Sequence, residues 1–209
     1  MKMYKFLLAI LVFIFFIGSA NAQIFVGGSV NFSASSNKIK TDGDTEDGTK
    51  SFSFGLNPKA GYFMNDKLAF GVGLGLTFNR NKTPGDPEII QSSSQFSINP
   101  FARYYAIELG DLKVFAEGGI NLGFGVSKTK NGDITADGPK TTAFMLYVSP
   151  ALSYDINEKL TIEGIFGNVY FQTNRSKQEA ANITNKHINS GFGFNLKASS
   201  ISFGFIYKL

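Results

Sequence analysis

The sequence predicts an all-β fold in which eight antiparallel strands close into an up-and-down barrel. The first observation is an alternation of large apolar with small or polar residues, most regular over residues 68–79, where Leu, Phe or Val occupies every even position. A period of two is that of a β-strand, and this stretch is longer than the usual five or six residues. The second observation is that short and long connections alternate along the chain. The third is a composition with 22 Phe and 23 Gly but neither Trp nor Cys.

The face opposite the apolar one indicates the environment of the barrel. In residues 68–79 that face carries Ala and Gly rather than the charged residues of a water-facing sheet. Glycine suits a narrow lumen, where it leaves room for larger residues such as Arg103 and Glu117, so a bulky charged residue at Gly73 is expected to destabilise the barrel. The apolar face is then expected to contact lipid, which predicts a transmembrane barrel. A soluble lipocalin-like barrel is the alternative, but its outward charges are missing.

The alternation predicts eight strands, at 24–34, 51–64, 68–79, 93–107, 112–127, 142–155, from 160 to about 172, and at 191–209. Its phase shifts near Gly167 and again near Lys197, which predicts bulges. The second shift leaves open whether the last segment is one strand or two, and the even strand numbers of bacterial barrels favour one. Long polar loops are predicted at 35–50, 81–90, 128–140 and 173–189. Short turns, expected to face the periplasm, are predicted at 65–67, 108–111 and 157–159.

Residues 1–22 predict a secretory signal peptide. They combine a positive start, an apolar run at 6–17 and an Ala-x-Ala ending at Ala22, so cleavage would leave a barrel domain at 23–209. The apolar run is too short for a helical membrane span, which needs about 20 residues. The absence of Cys excludes a lipid-anchored lipoprotein and a disulfide framework. The predicted location is the cell outer membrane.

Charge argues against a nucleic-acid partner. Two lysines lie in residues 1–22, which leaves 18 basic and 16 acidic residues in the remainder. No segment concentrates Lys and Arg as a nucleic-acid footprint would.

Strands two, four and six share an Asn/Ser-Pro-x-x-x-Tyr pattern that begins at 57, 99 and 149. A proline inside a strand removes a ladder donor, so bulges or unpaired carbonyls are expected there. Each tyrosine lies shortly before a predicted periplasmic turn. With one tyrosine of the last strand they are predicted to form an interfacial aromatic girdle: Tyr62, Tyr104, Tyr154 and Tyr207.

With the signal peptide, the eight strands, these motifs and the closing Ser-Phe-Gly-Phe-Ile-Tyr-Lys-Leu, residues 23–209 resemble the small outer-membrane β-barrel family. This family includes OmpA-like and OmpX-like barrels, and we expect this chain to be such a barrel without an appended peptidoglycan-binding domain. The resemblance implies outer-membrane lipid and the barrel-assembly machinery as partners, the latter through the C-terminal strand. Leu209 departs from the aromatic residue with which members usually finish, while Phe205 and Tyr207 keep the alternating pattern. We expect a monomer.

Four charged residues are predicted to form a lumen network: Lys59, Arg103, Glu117 and Glu163. Lys113, Asp155 and Lys208 share their parity. The interior of an eight-stranded barrel is just wide enough for side chains to fill it, and a single buried charge costs several kcal/mol, so the charges must pair. A salt-bridged plug is therefore favoured. The alternative is a polar path for small solutes, as in a narrow porin-like channel.

The remaining groups predict no enzyme, cofactor or metal. His187 is the only histidine; with Ser176 or Ser190 it could serve a lipid A-modifying enzyme, but no carboxylate has an evident placement to orient it. The acidic loop 41–48 offers oxygens for Ca²⁺ without the closing Glu of the twelve-residue calcium loop, which favours a solvated loop. The predicted function is a non-enzymatic barrel that supports the envelope or presents loops for adhesion or an extracellular ligand.

Overall fold

The structure is a computed structural model that describes residues 24–41, 44–180, 183–195 and 201–209. The predicted signal peptide lies outside the described residues. Within them, the chain forms ten antiparallel β-strands: β1 (Ile24–Thr41), β2 (Asp44–Asn65), β3 (Leu68–Thr83), β4 (Ile89–Leu109), β5 (Leu112–Asn131), β6 (Ile134–Asp155), β7 (Leu160–Phe166), β8 (Asn168–Ala180), β9 (Ile183–Asn195) and β10 (Ile201–Lys208). Among the described residues there is no helix that could cross a membrane.

Eight of these strands close the barrel. Each strand from β1 to β6 pairs with the next, and β10 pairs with both β7 and β1. The closing seam runs from the pair Phe25–Lys208 to the pair Gly28–Phe205. The end of β6, residues 151–155, pairs with β7, and its earlier residues 140–148 pair with β8. β9 pairs with β8. The predicted eight-stranded antiparallel up-and-down barrel is confirmed.

The phase shift near Gly167 is a bulge, as predicted. β6 pairs Ala151 with Ile165 but Val148 with Val169, so the β7–β8 side carries one extra residue. Gly167 has φ = 73°, in the left-handed region that a residue without Cβ adopts freely. The second predicted bulge, near Lys197, lies outside the described residues.

The prediction of four long loops is wrong in extent, because the strands continue through most of these segments. Pairing reaches Thr41–Asp44 between β1 and β2 and Asn131–Ile134 between β5 and β6. It reaches Thr83–Ile89 between β3 and β4 and Ala180–Ile183 between β8 and β9. Ladder hydrogen bonds join backbone groups and need no apolar alternation. The Ser, Thr, Asn and Lys residues here therefore remain in strands although the hydrophobic pattern has ended, and four hairpins project from this end.

At the opposite end the connections are short, at 66–67, 110–111 and 156–159. The predicted turns are thus present, each within two residues of its predicted limits. Strict alternation of short turns with projecting hairpins is the arrangement of outer-membrane barrels, whose short turns face the periplasm.

The outer wall is apolar and uncovered. Large side chains alternate outward on every strand of the barrel wall, and several are more than half exposed, among them Phe32, Phe124 and Phe203. The buried cluster is small by comparison and lies inside the barrel: Phe25, Ala69, Phe101, Tyr105, Phe115, Ala151 and Ile206. A lipocalin-like barrel would have the reverse arrangement, so the outward face is the one that lipid covers.

Each proline of the three Asn/Ser-Pro-x-x-x-Tyr motifs interrupts pairing with one neighbouring strand. Between β4 and β5 the pairs step from Ile98–Leu122 to Phe101–Gly119 without a register shift, so no bulge forms at Pro100. The carbonyl opposite the missing donor belongs to Ile120, and the side-chain nitrogen of Asn99 donates to it at 3.0 Å. An asparagine before the proline thus supplies the hydrogen bond that the proline removes.

The other two prolines behave differently from each other. Pairing of β2 with β3 steps from Leu56–Leu76 to Lys59–Gly73 around Pro58, again without a shift. The interruption at Pro150 coincides with the bulge at Gly167. Of the three prolines, only Pro150 therefore lies beside a bulge.

The glycine face of β3 differs in detail from its prediction. A Cβ on Gly71 would overlap the Phe101 ring, whereas a Cβ on Gly73 would have its nearest neighbour, Asn99, at 3.7 Å. Gly71 thus makes room for an aromatic ring, whereas a single Cβ atom would fit at Gly73. The expectation that a bulky charged residue at Gly73 destabilises the barrel stays a prediction, since this distance concerns a single added Cβ atom.

Candidate functional site

The four predicted network charges meet inside the barrel. The Arg103 Nε and Nη2 atoms both donate to Glu117 Oε2, at 2.9 and 2.7 Å. Its Nη1 donates to Glu163 Oε2 at 2.9 Å, and Lys59 forms an ion pair with Glu163. Two cations thus balance two carboxylates in a continuous chain, which we call the lumen plug.

Strand register explains how these residues reach one another. Arg103 on β4 lies directly opposite Glu117 on β5, while Glu163 on β7 lies opposite Gly204 on β10. A Cβ at Gly204 would come within 3.2 Å of a Glu163 carboxylate oxygen, so glycine there leaves space for this side chain. Glu163 extends across the lumen to Arg103, which is fully buried (0% exposed).

Aromatic rings surround the Arg103 guanidinium. Its central carbon lies 4.8 Å from the ring centre of Phe115, 5.0 Å from Phe101 and 5.6 Å from Phe25. These are cation–π distances, and the attraction strengthens when the cation is desolvated. The rings also exclude water from the ion pairs, so the plug combines charge neutralisation with apolar packing.

A layer of rings closes the lumen toward the short turns. Ring centres are 5.3 Å apart for Phe25 and Phe63, 5.7 Å for Phe63 and Tyr105, and 5.0 Å for Tyr105 and Phe115. The chain of contacts crosses from β1 through β2 and β4 to β5. With the buried Ile206 from β10 it forms an apolar floor directly below Arg103.

A second group of charges lies below this floor, at the rim of the short turns. Asp155 Oδ1 accepts from Lys208 Nζ at 3.0 Å, and its Oδ2 lies 3.6 Å from Lys113 Nζ. The Thr161 hydroxyl also donates to Asp155. Lys208 on β10 is thereby tied to β6 on the other side of β7.

Above the plug the lumen opens into a cavity of about 380 Å³. Amides and hydroxyls line its wall, and the plug forms its floor: Asn57, Asn99, Asn121, Ser97, Ser149 and Tyr147, with Lys59, Glu117 and Glu163 below. The Tyr147 hydroxyl lies 2.9 Å from Glu117 Oε1 and 3.0 Å from Asn99 Oδ1, so it can donate to either. Among the described residues, this polar cavity lies on the hairpin side of the plug and has Lys59, Glu117 and Glu163 at its floor.

The four tyrosines predicted as a girdle lie at one rim. They are in the rows next to the short turns, where Tyr62 pairs with Ile24, Tyr104 with Leu68, Tyr154 with Leu112 and Tyr207 with Leu160. Tyr104, Tyr154 and Tyr207 are exposed, on the same side of the wall as the apolar belt. The Lys159 ammonium lies 5.9 Å from the Tyr207 ring centre.

The residues considered for catalysis and metal binding form no site in the part of the chain that the structure describes. His187 lies opposite Ser176 in the β8–β9 hairpin, and Ser190 Oγ lies 3.0 Å from Thr173 Oγ1. No described carboxylate bonds to His187, and the described residues contain no cluster that could hold a metal ion.

The predicted acidic loop is instead part of a hairpin, apart from 42–43, which lie outside the described residues. Asp47 accepts from Lys50 Nζ at 2.8 Å, and this bond lowers the pKa of the Asp47 carboxyl.

Sequence reasoning missed the aromatic part of the plug. Phe25, Phe63, Phe101 and Phe115 all occupy odd positions, where the alternation otherwise puts small or polar residues. A large ring at lumen parity close to a short turn is a readable signal for a closed end.

The comparisons with known proteins agree with this architecture. The family model described as "Outer membrane protein beta-barrel domain" matches residues 7–208. The structure of OprG from Pseudomonas aeruginosa aligns with a TM-score of 0.51 at 17% identity, covering 91% of this chain and 96% of that chain. A major outer membrane protein from Thermus thermophilus gives a TM-score of 0.46 at 14% identity, covering 91% and 100%.

Ail, the attachment invasion locus protein of Yersinia pestis, gives a TM-score of 0.39 at 12% identity, covering 90% of this chain and 97% of that chain. Identities this low speak to the fold alone. A comparison with curated proteins found no significant match.

Proposed function

The chain belongs to the outer membrane protein beta-barrel domain family, and we propose that it is a sealed barrel that acts through its outer surface and hairpins rather than through its lumen. Family membership supports the outer membrane as its location. We further propose export through a signal peptide at 1–22 and insertion by the barrel-assembly machinery, which would read Phe205 and Tyr207 on the last strand. Tyr62, Tyr104, Tyr154 and Tyr207 would then anchor the rim at the periplasmic interface.

The observation that carries the proposal is the burial of Arg103 between two carboxylates and three phenylalanine rings. A permeating solute would have to separate Arg103 from Glu117 and Glu163 and displace the ring layer beneath. Separating buried, hydrogen-bonded charges leaves each uncompensated, at a cost of several kcal/mol per ion. A narrow porin-like channel, the alternative, would need that separation in its resting state.

The outward features fit a role in envelope support or in binding. The apolar wall integrates the barrel with lipid, and four paired hairpins project beyond it. Paired strands hold their side chains in a fixed arrangement, which lowers the entropy lost on binding a partner. We propose a non-enzymatic protein, since His187 has no orienting carboxylate among the described residues.

Complementation of a deletion strain separates these roles. Three strains would carry no copy, the wild-type chain, or a chain in which 37–48 of the β1–β2 hairpin are replaced by a two-residue turn. Pairing from Ile24–Tyr62 to Ser36–Lys50 would remain, so the barrel itself is untouched. Heat-modifiable migration on a denaturing gel checks that each chain folds.

For envelope support, we expect both chains to restore exclusion of a large antibiotic. For a binding role, we expect surface adhesion to return with the wild-type chain and to weaken with the shortened one. Uptake of small hydrophilic solutes should be equal in all three strains. Slower uptake without the gene, restored by the wild-type chain, would support the channel and overturn the sealed barrel.

A further inference from the structure

We propose that the cavity above the lumen plug binds a small neutral sugar, which enters from the hairpin side. The cavity has a volume of about 380 Å³, within the roughly 300–1,000 Å³ of small-molecule sites. This binding site goes beyond the proposed function and leaves the sealed lumen intact, because a sugar held above Arg103 does not have to pass the plug.

Glycines create the space for a ligand. The interior of an eight-stranded barrel is otherwise just wide enough for side chains to fill it. At Gly71 the Phe101 ring occupies the room that the glycine leaves, whereas a Cβ on Gly73 would have no neighbour closer than 3.7 Å. The lumen is therefore filled at the level of Gly71 and empty at the level of Gly73. Four lining positions of the cavity are glycine: Gly28, Gly73, Gly75 and Gly204.

The cavity wall presents polar side chains that are available to a ligand. Among the described residues, no side-chain hydrogen bond is found for Ser97 on β4, Asn121 on β5 or Asn168 on β8, and all three line the cavity. The amide of Asn57 on β2 donates to Asn31 Oδ1 at 3.1 Å, which leaves the Asn57 oxygen to accept. Amides and hydroxyls both donate and accept, and so do the hydroxyls of a sugar. Groups from four strands thus converge on one small volume.

Charge balance selects a ligand without net charge. The charged residues in the described lining are Lys59, Glu117 and Glu163, which together with Arg103 form the neutral lumen plug. An anion or a cation in the cavity would therefore find no uncompensated counter-charge, and desolvating an unpaired charge is costly. An amino acid is neutral overall, but its ammonium and carboxylate would compete for groups that are already paired. A neutral polyol binds the amides without either cost.

Apolar side chains complement the polar ones. Phe101, Met145 and Ile165 also line the cavity. The C–H groups of a sugar ring can pack against these side chains while its hydroxyls bond to the amides. Small-molecule sites combine apolar contact with a few placed polar groups in this way. The lining therefore fits a ring with hydroxyls on its edge better than a linear ion.

The contacts above the cavity leave it accessible from the hairpin side. Side-chain hydrogen bonds found there join neighbouring strands, as from Ser53 to Asn79 at 2.7 Å and from Asn79 to Ser93 at 3.4 Å. Bonds that bridge the lumen, such as the bond from Arg103 to Glu163, lie at the level of the plug or below it. The described contacts therefore close the cavity toward the short turns and leave a way in from outside.

A saturation-transfer NMR titration of the purified full chain tests the site. The folded chain would be kept in a zwitterionic detergent, because a detergent with a sugar headgroup would compete for the cavity. Glucose, galactose and mannose serve as neutral probes, and glucuronate, glucosamine and alanine as charged or zwitterionic probes. We expect at least one neutral hexose to bind at least about tenfold more tightly than any charged or zwitterionic probe.

The variant S97A/N121L removes two polar groups of the wall without breaking a described hydrogen bond. We expect it to bind the hexose at least about tenfold more weakly. The control S94A/N189L makes the same two changes at exposed positions outside the cavity and should keep the wild-type affinity within about twofold. The heat-modifiable gel shift shows whether each chain is folded. If S97A/N121L does not fold, S97A replaces it and should weaken binding about threefold.

Three results would overturn the sugar site. They are no binding of any of the three hexoses to the folded wild type, equally tight binding of a charged or zwitterionic probe, and an equal effect of the cavity variant and its control. Swelling of liposomes in the same hexose is a separate measurement, for which a sealed lumen predicts none. Swelling would contradict the sealed lumen and with it the dead end, whereas missing binding without swelling would overturn the sugar site alone.

Discussion

Replacing Arg103 with alanine is expected to destabilise the folded barrel by about 3–5 kcal/mol. The change leaves Glu117 and Glu163 buried next to each other without the guanidinium that neutralises both. It also removes packing against Phe25, Phe101 and Phe115. Equilibrium urea unfolding in lipid vesicles, followed by the gel shift between folded and unfolded chains, measures the change.

Arg80 provides the matched control for this experiment. It is an exposed arginine on β3, outside the plug. Exposed substitutions away from structural features usually change stability by less than about 0.5 kcal/mol. We therefore expect Arg80→Ala to unfold at nearly the wild-type urea concentration. Equal stabilities of the two alanine variants would mean that the plug contributes nothing to the fold.

Replacing Glu163 with glutamine is expected to cost about 3–5 kcal/mol, and removing Lys59 as well should recover part of that loss. Glu163→Gln leaves Arg103 and Lys59 buried with Glu117 as the single carboxylate of the plug. Lys59→Met together with Glu163→Gln restores neutrality, with the Arg103–Glu117 pair intact.

A double-mutant cycle measures this coupling. Residues in one ion-pair network show interaction energies of about 0.5–3 kcal/mol. We expect the double variant to be more stable than the sum of the single changes requires, by at least about 1 kcal/mol. Strictly additive changes in the free energy of unfolding would show that Lys59 and Glu163 do not act as a pair, and the plug would then consist of Arg103 and its carboxylates alone.

The barrel wall was readable from the sequence, because membrane strands must alternate between lipid and lumen. The same alternation exposed the bulge at Gly167, where one extra residue inverts the parity. The alternation did not predict the strands that project beyond the apolar wall, because polar segments such as residues 128–140 keep their ladder hydrogen bonds without alternating apolar residues. The length of a polar hairpin therefore cannot be predicted from the alternation of apolar residues.

The plug was readable only in part. The alternation assigned Arg103 and Glu163 to the lumen, but it does not show which lumen residues lie at the same height along the barrel axis. That depends on the stagger of eight strands around a closed barrel, which brings together residues 60 positions apart. The contribution of Phe25 and Phe115 was missed because the alternation predicts large apolar side chains on the outer face, although both rings break that pattern at inward positions close to the start of the predicted barrel domain or to a short turn. The side-chain bond from Asn99 to the Ile120 carbonyl likewise required the register.

Single-channel recording of the purified wild-type chain in a planar lipid bilayer tests the sealed lumen most directly. The chain should be folded, as shown by its heat-modifiable gel shift, before it is added to the bilayer. The account predicts a flat current at the level of the protein-free membrane, because the ion pairs of Arg103 and the ring layer below it close the only described path through the lumen. Steady, reproducible opening steps from the folded wild-type protein would contradict it.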